Sequence, residues 1–147
     1  MLPNDRNDLM YLLNILEYIG KIWKYTEKSK NAEELFELND QMNLNASLTL
    51  LANIGENVAK ISEKTKKKYQ SIEWKQIKNF RNRIVHDYTG IDLAIVYEII
   101  THDLKTLKPK IESIIKEKLE QKIFDIEEMK ICEESPYYGH IEFEKMI

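Results

Sequence analysis

Apolar residues recur at three- and four-residue steps through most of this 147-residue chain, and only 4 glycines and 3 prolines interrupt them. That combination limits the fold. A period near 3.6 turns one face of a segment toward a core only if the segment is a helix. A β-sandwich of this length needs many more turn residues. The expectation is an all-α, up-and-down bundle of four to five helices, residues 1–120, with a short C-terminal extension over residues 121–147 that is helical at its start and then irregular.

Leu9, Leu12, Leu13, Leu16, Ile19 and Trp23 predict an amphipathic helix over residues 5–27, with Asn4 as its cap. A short second helix over 32–38 follows Asn31 and carries Glu33 and Glu34 in its first turn, where the helix dipole favours them. A long third helix is expected from Asp40 to Lys64, with Leu44, Leu48, Leu51, Gly55 and Val58 on one face. Gly55 inside it costs ~1 kcal/mol relative to alanine, which points to close approach by another helix or subunit. Ser71 is placed to cap a fourth helix with Trp74, Ile77, Phe80, Ile84 and Val85 on its apolar side and Gly90 at its end. Asp92 then caps a fifth, and Pro109 predicts a kink or break near Thr106 to Lys108 before the pattern resumes at Ile111. From about Gln121, a continuation of the helix to 131 gives way to Ser135-Pro136 and to a segment that packs on the bundle, pairs with another chain or is partly disordered.

Composition narrows the setting. Apolar residues make up 43% of the chain and charged residues 32%, enough for a core and a solvated surface. The lone Cys132 has no partner for an internal disulfide, and the first residues lack the basic and apolar blocks of a signal peptide, so a reducing, cytoplasmic setting is expected. No apolar run is long enough to span a bilayer. The net charge of −3 is unlike that of proteins that hold nucleic acid by bulk electrostatics. Any RNA contact must then be a local basic cleft. The run Lys64-Thr65-Lys66-Lys67-Lys68 reads as a solvated linker, with a flanking RNA-backbone contact as the alternative.

The chemistry concentrates in Arg81-Asn82-Arg83-Ile84-Val85-His86-Asp87-Tyr88. RNA carries its own nucleophile, the 2′-hydroxyl. Cleavage needs a base for that proton, an acid for the leaving 5′-oxygen, and a cation for the crowded phosphorane. Histidine suits the proton transfers because it titrates near neutrality. Arginine suits the last role because its planar fork stays charged and grips phosphate oxygens in pairs. An Arg and a His five apart also occur in many helical proteins with no such role. On a straight helix the two lie well apart around the axis, whereas Arg81 and Tyr88, seven apart, share a face. Convergence on one phosphate then requires the helix to loosen near His86, a second subunit to supply partner groups, or both. His102 and His140 read as structural or surface histidines. No Cys/His or His/carboxylate spacing resembles a metal site, and no cofactor motif is present.

The pattern R-x-x-x-x-H-x-Y resembles the signature of the HEPN superfamily, in particular its short HepT-like members. Trp74-Lys75-Gln76-Ile77 and Phe80 before it, Thr89-Gly90-Ile91-Asp92 after it, and Ile54-Gly55-Glu56-Asn57-Val58 upstream extend the likeness over residues 1–118. The resemblance implies the toxin of a type II/VII-like toxin–antitoxin pair: a metal-independent ribonuclease that acts as a homodimer with both motifs in one cleft. Arg81 and His86 would be catalytic, with Asn82, Arg83 and Glu56 supporting them. Tyr88 would be the tyrosine that a small nucleotidyltransferase antitoxin adenylylates, placing an anionic group at the cleft mouth. The alternative is a non-catalytic helical binding module or regulatory subunit serving a nucleotidyltransferase.

Overall fold

A computed structural model describes residues 5–86 and 90–147 of the chain. Three long helices frame it: α1 (Asp8–Thr26), α3 (Met42–Lys60) and α8 (Leu104–Glu120). Shorter helices lie between and around them: α2 (Ala32–Glu37), α4 (Glu63–Lys68), α5 (Trp74–Lys78), α6 (Phe80–Ile84), α7 (Leu93–Glu98) and α9 (Ile126–Glu134). The architecture is the all-α bundle expected. Its only extended pairing among the described residues is a two-residue antiparallel ladder between β1 (Val85–His86) and β2 (Gly90–Ile91).

Side-chain bonds at both ends fix the directions. The Asn43 amide donates to the Tyr25 carbonyl at 2.7 Å, and at the other end Asp8 binds Ser62, so α1 and α3 run antiparallel. Trp23 Nε1 donates to the Ile100 carbonyl at 2.9 Å, while the Lys118 ammonium reaches Asp5 at 3.3 Å, so α8 also opposes α1. Leu12, Leu13, Ile15, Ile19 and Ile22 of α1, Leu51, Ile54 and Val58 of α3, and Leu104, Ile111 and Ile115 of α8 fill the space between and are almost wholly buried. Each such side chain contributes roughly 1.5–3 kcal/mol on leaving water.

The structure departs from the sequence pattern at four places. The third helix stops at Lys60 instead of Lys64, because the buried Asp8 carboxylate accepts from both the Ser62 amide (2.9 Å) and its hydroxyl (2.7 Å) and also binds the Thr65 hydroxyl. Ser62 is thereby drawn out of the helix and caps α4, which carries the basic run. That run is largely ion-paired: Lys64 with Asp5, Lys66 with Glu63 and Lys68 with Glu117. The expected fourth helix is two five-residue helices separated at Asn79, and it starts at Trp74 without a side-chain cap, not at Ser71. The expected break before Pro109 is absent. α8 runs through the proline, and the irregularity is a π-helical turn upstream, Ile99–Asp103. Buried Leu104, Leu107 and Ile111 flank the proline and hold the helix against the core despite the lost hydrogen bond. α8 ends at Glu120, and Lys122 takes a left-handed conformation (φ 59°), so no helix continues from 121 to 125. Asn31 and Asp92 cap α2 and α7 as expected, accepting from Glu34 (2.8 Å) and Ile95 (3.1 Å). The proposed cap Asn4 lies outside the described residues.

The C-terminal extension packs on the bundle. Phe124, Met129, Phe143 and Met146 are buried. The His140 amide and Nδ1 both meet the buried Glu17 carboxylate, at 2.8 and 2.7 Å. The Tyr138 hydroxyl donates to Asn14 at 2.8 Å, and burial, helped by nearby Cys132, Tyr18 and Glu17, pushes its pKa up to about 12. Lys108 binds Glu112 (2.9 Å) and Glu142 (2.7 Å). A side chain at Gly20 would lie 2.6 Å from the His140 Cβ, so this glycine lets the extension lie directly on α1.

Candidate active site

The site begins with a short helix that cannot stand alone. α6 is five residues, far below the length at which helices persist in water. Phe80 and Ile84, buried at 1% and 4% exposure, hold it to the core. Upstream, Gly55 lets the backbone of α5 approach α3: a Cβ there would sit 2.8 Å from the Lys78 carbonyl oxygen. The close approach inferred from Gly55 is therefore made within the chain, and it sets the height at which α6 starts.

After Ile84 the helix ends. Val85 and His86 are extended and pair with Ile91 and Gly90, and the Asp92 amide donates to the Ile84 carbonyl at 2.8 Å. Gly90, at φ +92°, occupies a conformation that other residues rarely adopt. It serves the return of this hairpin and does not end a long helix. Val85 is correspondingly 52% exposed and is not on the buried face where the helical pattern put it.

This local geometry bears on the angular problem posed by a five-residue spacing. Arg81 remains on the helix, exposed, while His86 has left it on an extended segment. Arg81 lines a groove of about 260 Å³ with Leu48, Thr49 and Ala52 of α3 and with Ile84, Val85 and Ile91. Asn82 is exposed on the outer surface of α6. Glu56 is also exposed, one helical turn beyond Ala52 on the same side of α3. Tyr88 lies outside the described residues.

Arg83 is committed elsewhere. Its guanidinium donates to Asp103 at 2.7 Å and stacks over the Phe80 ring at 5.7 Å. Its acidic partner belongs to the same chain, in the π-helical turn. This pair ties α6 to the α7–α8 arm and opens on a cavity of about 310 Å³ that also includes Gln76, Glu98, His102 and Lys110. No local pattern marks Asp103 in sequence, and it was not among the residues read as functional. The groove-lining residues of α3 were also missed, since Leu48 reads as an ordinary core position and nothing local marks Thr49 or Ala52. Among the described residues no group of three or more His, Cys, Asp or Glu side chains is arranged to hold a metal ion. No helix in the described residues is long and apolar enough to cross a membrane.

Comparison with known proteins adds to this geometry. Residues 15–114 match the family model described as ribonuclease HepT-like. Two proteins of Methanocaldococcus jannaschii are 33% identical to the chain: Putative RNase MJ1216, over 73% of this chain and 86% of that protein, and Putative RNase MJ0125, over 76% and 93%. Probable ribonuclease HepT of Thermococcus cleftensis is 30% identical over 72% of this chain and 94% of its own length. No solved structure matches the chain. The matched span stops before α9, so the C-terminal extension lies outside it.

Proposed function

Because the chain belongs to the HepT-like ribonuclease family, we propose that it is a metal-independent endoribonuclease and the toxin of a toxin–antitoxin pair. The observation that carries this reading is the end of α6 at Ile84, which separates Arg81 on a helix from His86 on an extended segment two residues past the helix end. A straight helix would hold the two apart. In this reading His86, off the helix, meets the phosphate that Arg81 grips.

In the proposed reaction the RNA 2′-oxygen loses its proton to a base and attacks the adjacent phosphorus. The 5′-oxygen leaves with a proton, and the products are a 2′,3′-cyclic phosphate and a 5′-hydroxyl. His86 supplies proton transfer and Arg81 neutralises the phosphorane oxygens. Two copies related by a two-fold axis would bring both motifs into one cleft and double its charge. The exposed Val85 and Ile91 beside Arg81 offer apolar surface for that pairing. Asn82 and Glu56, both exposed near the groove, are assigned to positioning.

Tyr88 is proposed as the regulatory residue. Its phenol oxygen would attack the α-phosphorus of ATP bound to a partner nucleotidyltransferase, releasing pyrophosphate and leaving an adenylyl group that blocks the cleft by bulk and charge. Cleavage by the purified chain should persist in EDTA and yield cyclic phosphate ends, and RNA with a 2′-deoxy residue at the cut should be inert. Tyr88→Phe should cut RNA yet resist neutralisation by the partner. Full inactivation by EDTA, or cleavage of the 2′-deoxy substrate, contradicts the mechanism. RNA left intact by the unmodified dimer favours the binding-module reading.

A further inference from the structure

A second cavity lies at the opposite side of the π-helical turn from the Arg83–Asp103 pair. It measures about 420 Å³ and is lined by Trp23, Tyr97, Ser29, Thr101, Lys105 and Glu27, with Thr26 and Ile100 at its base. Three observations mark it. Two aromatic side chains, both half-buried, stand in its wall, and the Trp23 indole is fixed there by its 2.9 Å bond to Ile100 in the π turn. The Ser29 hydroxyl oxygen is shut away from solvent and has no hydrogen-bond partner, the only such side-chain atom among the described residues. Buried polar groups are nearly always paired, and because Ser29 lines the cavity a turn of its side chain would offer this hydroxyl to a ligand there. Finally, Lys105 stands exposed at the rim with no ion pair among the described residues, whereas Glu27 is partly neutralised by Lys24 at 3.2 Å.

We propose that this cavity is a subsite for an unpaired nucleobase of the RNA that the chain cleaves; the proposal rests on the nuclease reading above. Aromatic walls take a base by stacking, an unpaired hydroxyl supplies one hydrogen bond to its edge, and a free lysine meets the neighbouring phosphate. The cavity volume accommodates a base with room to spare. The position also fits. Asn43 binds Tyr25, so the start of α3 and the end of α1 lie together. Thr49, in the Arg81 groove, is six residues further along α3, roughly 9 Å at the helical rise. The groove, near the middle of α3, thus lies a short way along the bundle from the cavity, and one single strand can span both. The Thr101 hydroxyl is not free to donate to the base, because it already donates to the Tyr97 carbonyl at 2.8 Å. Ser29 and Lys105 carry the polar recognition.

The test uses the full chain with His86→Ala, so that RNA is bound without being cut. A 12-nucleotide mixed-sequence single-stranded RNA is titrated, together with a set in which each position in turn is abasic. One abasic position should weaken binding about tenfold. The same position should be silent when Tyr97→Ala is added, while Tyr97→Phe, which keeps the ring, should restore the sensitivity. Lys105→Ala should weaken every oligonucleotide about equally. Circular dichroism establishes that each variant is folded, and Lys105→Ala serves as the independent probe if Tyr97→Ala is not. No measurable RNA binding, or an abasic profile indifferent to Tyr97, overturns the subsite. Binding of adenosine monophosphate as tightly as the oligonucleotide also overturns it, since the cavity would then be a free-nucleotide site. An inert wild-type chain that still shows the Tyr97-dependent abasic effect would sink the nuclease reading alone.

Discussion

The C-terminal extension and the described residues between Asn79 and Ile91 are both built from short elements, but they are anchored to different degrees. The extension is anchored by four buried apolar side chains, Phe124, Met129, Phe143 and Met146, and by polar and charged pairs as well: Glu17 to His140, Asn14 to Tyr138, and Lys108 to Glu142. The motif segment is held by two buried apolar side chains, one ion pair to Asp103 and the glycine contact at Lys78, and it presents Arg81 and Asn82 to solvent. Charge divides the same way. Residues 121–147 hold three lysines against seven acidic residues, a balance of −4, which leaves residues 1–120 at +1. The acidic character of the chain therefore comes from the extension, and the bundle that carries the motif is not repelled from RNA by its net charge. The comparison teaches that firm anchoring here belongs to structure, while the proposed chemistry sits on local elements too short to form alone.

The sharpest way to break that contrast is at the motif. His86→Ala should lower cleavage by about a thousandfold, the range for a lost proton-transfer group. Thermal stability should stay nearly constant. Arg81→Ala should cost about a hundredfold. A large fall in melting temperature with either change would mean that the segment is structural as well.

Next comes Gly55→Ala. Alanine favours the helix by ~1 kcal/mol, but its Cβ would meet the backbone oxygen of Lys78, which has no rotamer to escape into. The expected net loss is about 2 kcal/mol of stability from overpacking. Because α5 is displaced first, cleavage per folded molecule should fall too. Unchanged stability in a denaturant titration would show that α5 is free to shift.

Lys108→Met probes the other region. It removes the partner of Glu112, whose side chain is 10% exposed, and of Glu142, at 45%. A loss of about 2 kcal/mol is expected, less than for a fully buried pair because Glu142 remains in water. Cleavage per folded molecule should be unaffected. A matching loss of activity would couple the extension to the site.

The smallest effect is that of pH. Hydrogen bonds from Lys108 and Lys145 hold Glu142 below the usual glutamate range. Its contribution is thus complete above the ordinary value and fades as pH falls through the lowered one. Burial pulls the Lys108 pKa down, but its bonds to Glu142 and Glu112 win and raise it, so its contribution is lost only as pH rises through that raised value. Hydrogen exchange of residues 136–147 should be protected across neutral pH and loosen in acid. Loosening near neutrality would place the anchor elsewhere.

Much of the frame was legible. The periodic leucines of α1 and α3 mark faces that are buried, and Asn31 and Asp92 cap the helices they precede. The motif could be read as a set of residue types, but not as a shape. A helical pattern from Trp74 to Ile84 continues smoothly across Asn79, and nothing local says that the chain divides there. Likewise Ser62 looks like any helical serine until Asp8, 54 residues earlier, takes its amide and hydroxyl.

The sequence by itself determined the fold class, the main buried faces, the family and the residue types on offer in the motif, because periodicity and side-chain type are local properties. Tertiary structure alone decided where helices stop, that Arg83 is held by Asp103, and that the extension lies on α1 beside Gly20. Those outcomes depend on which groups meet after the chain folds back. A buried carboxylate or a missing Cβ can then outweigh the small preferences, a few tenths of a kcal/mol per residue, that local sequence supplies.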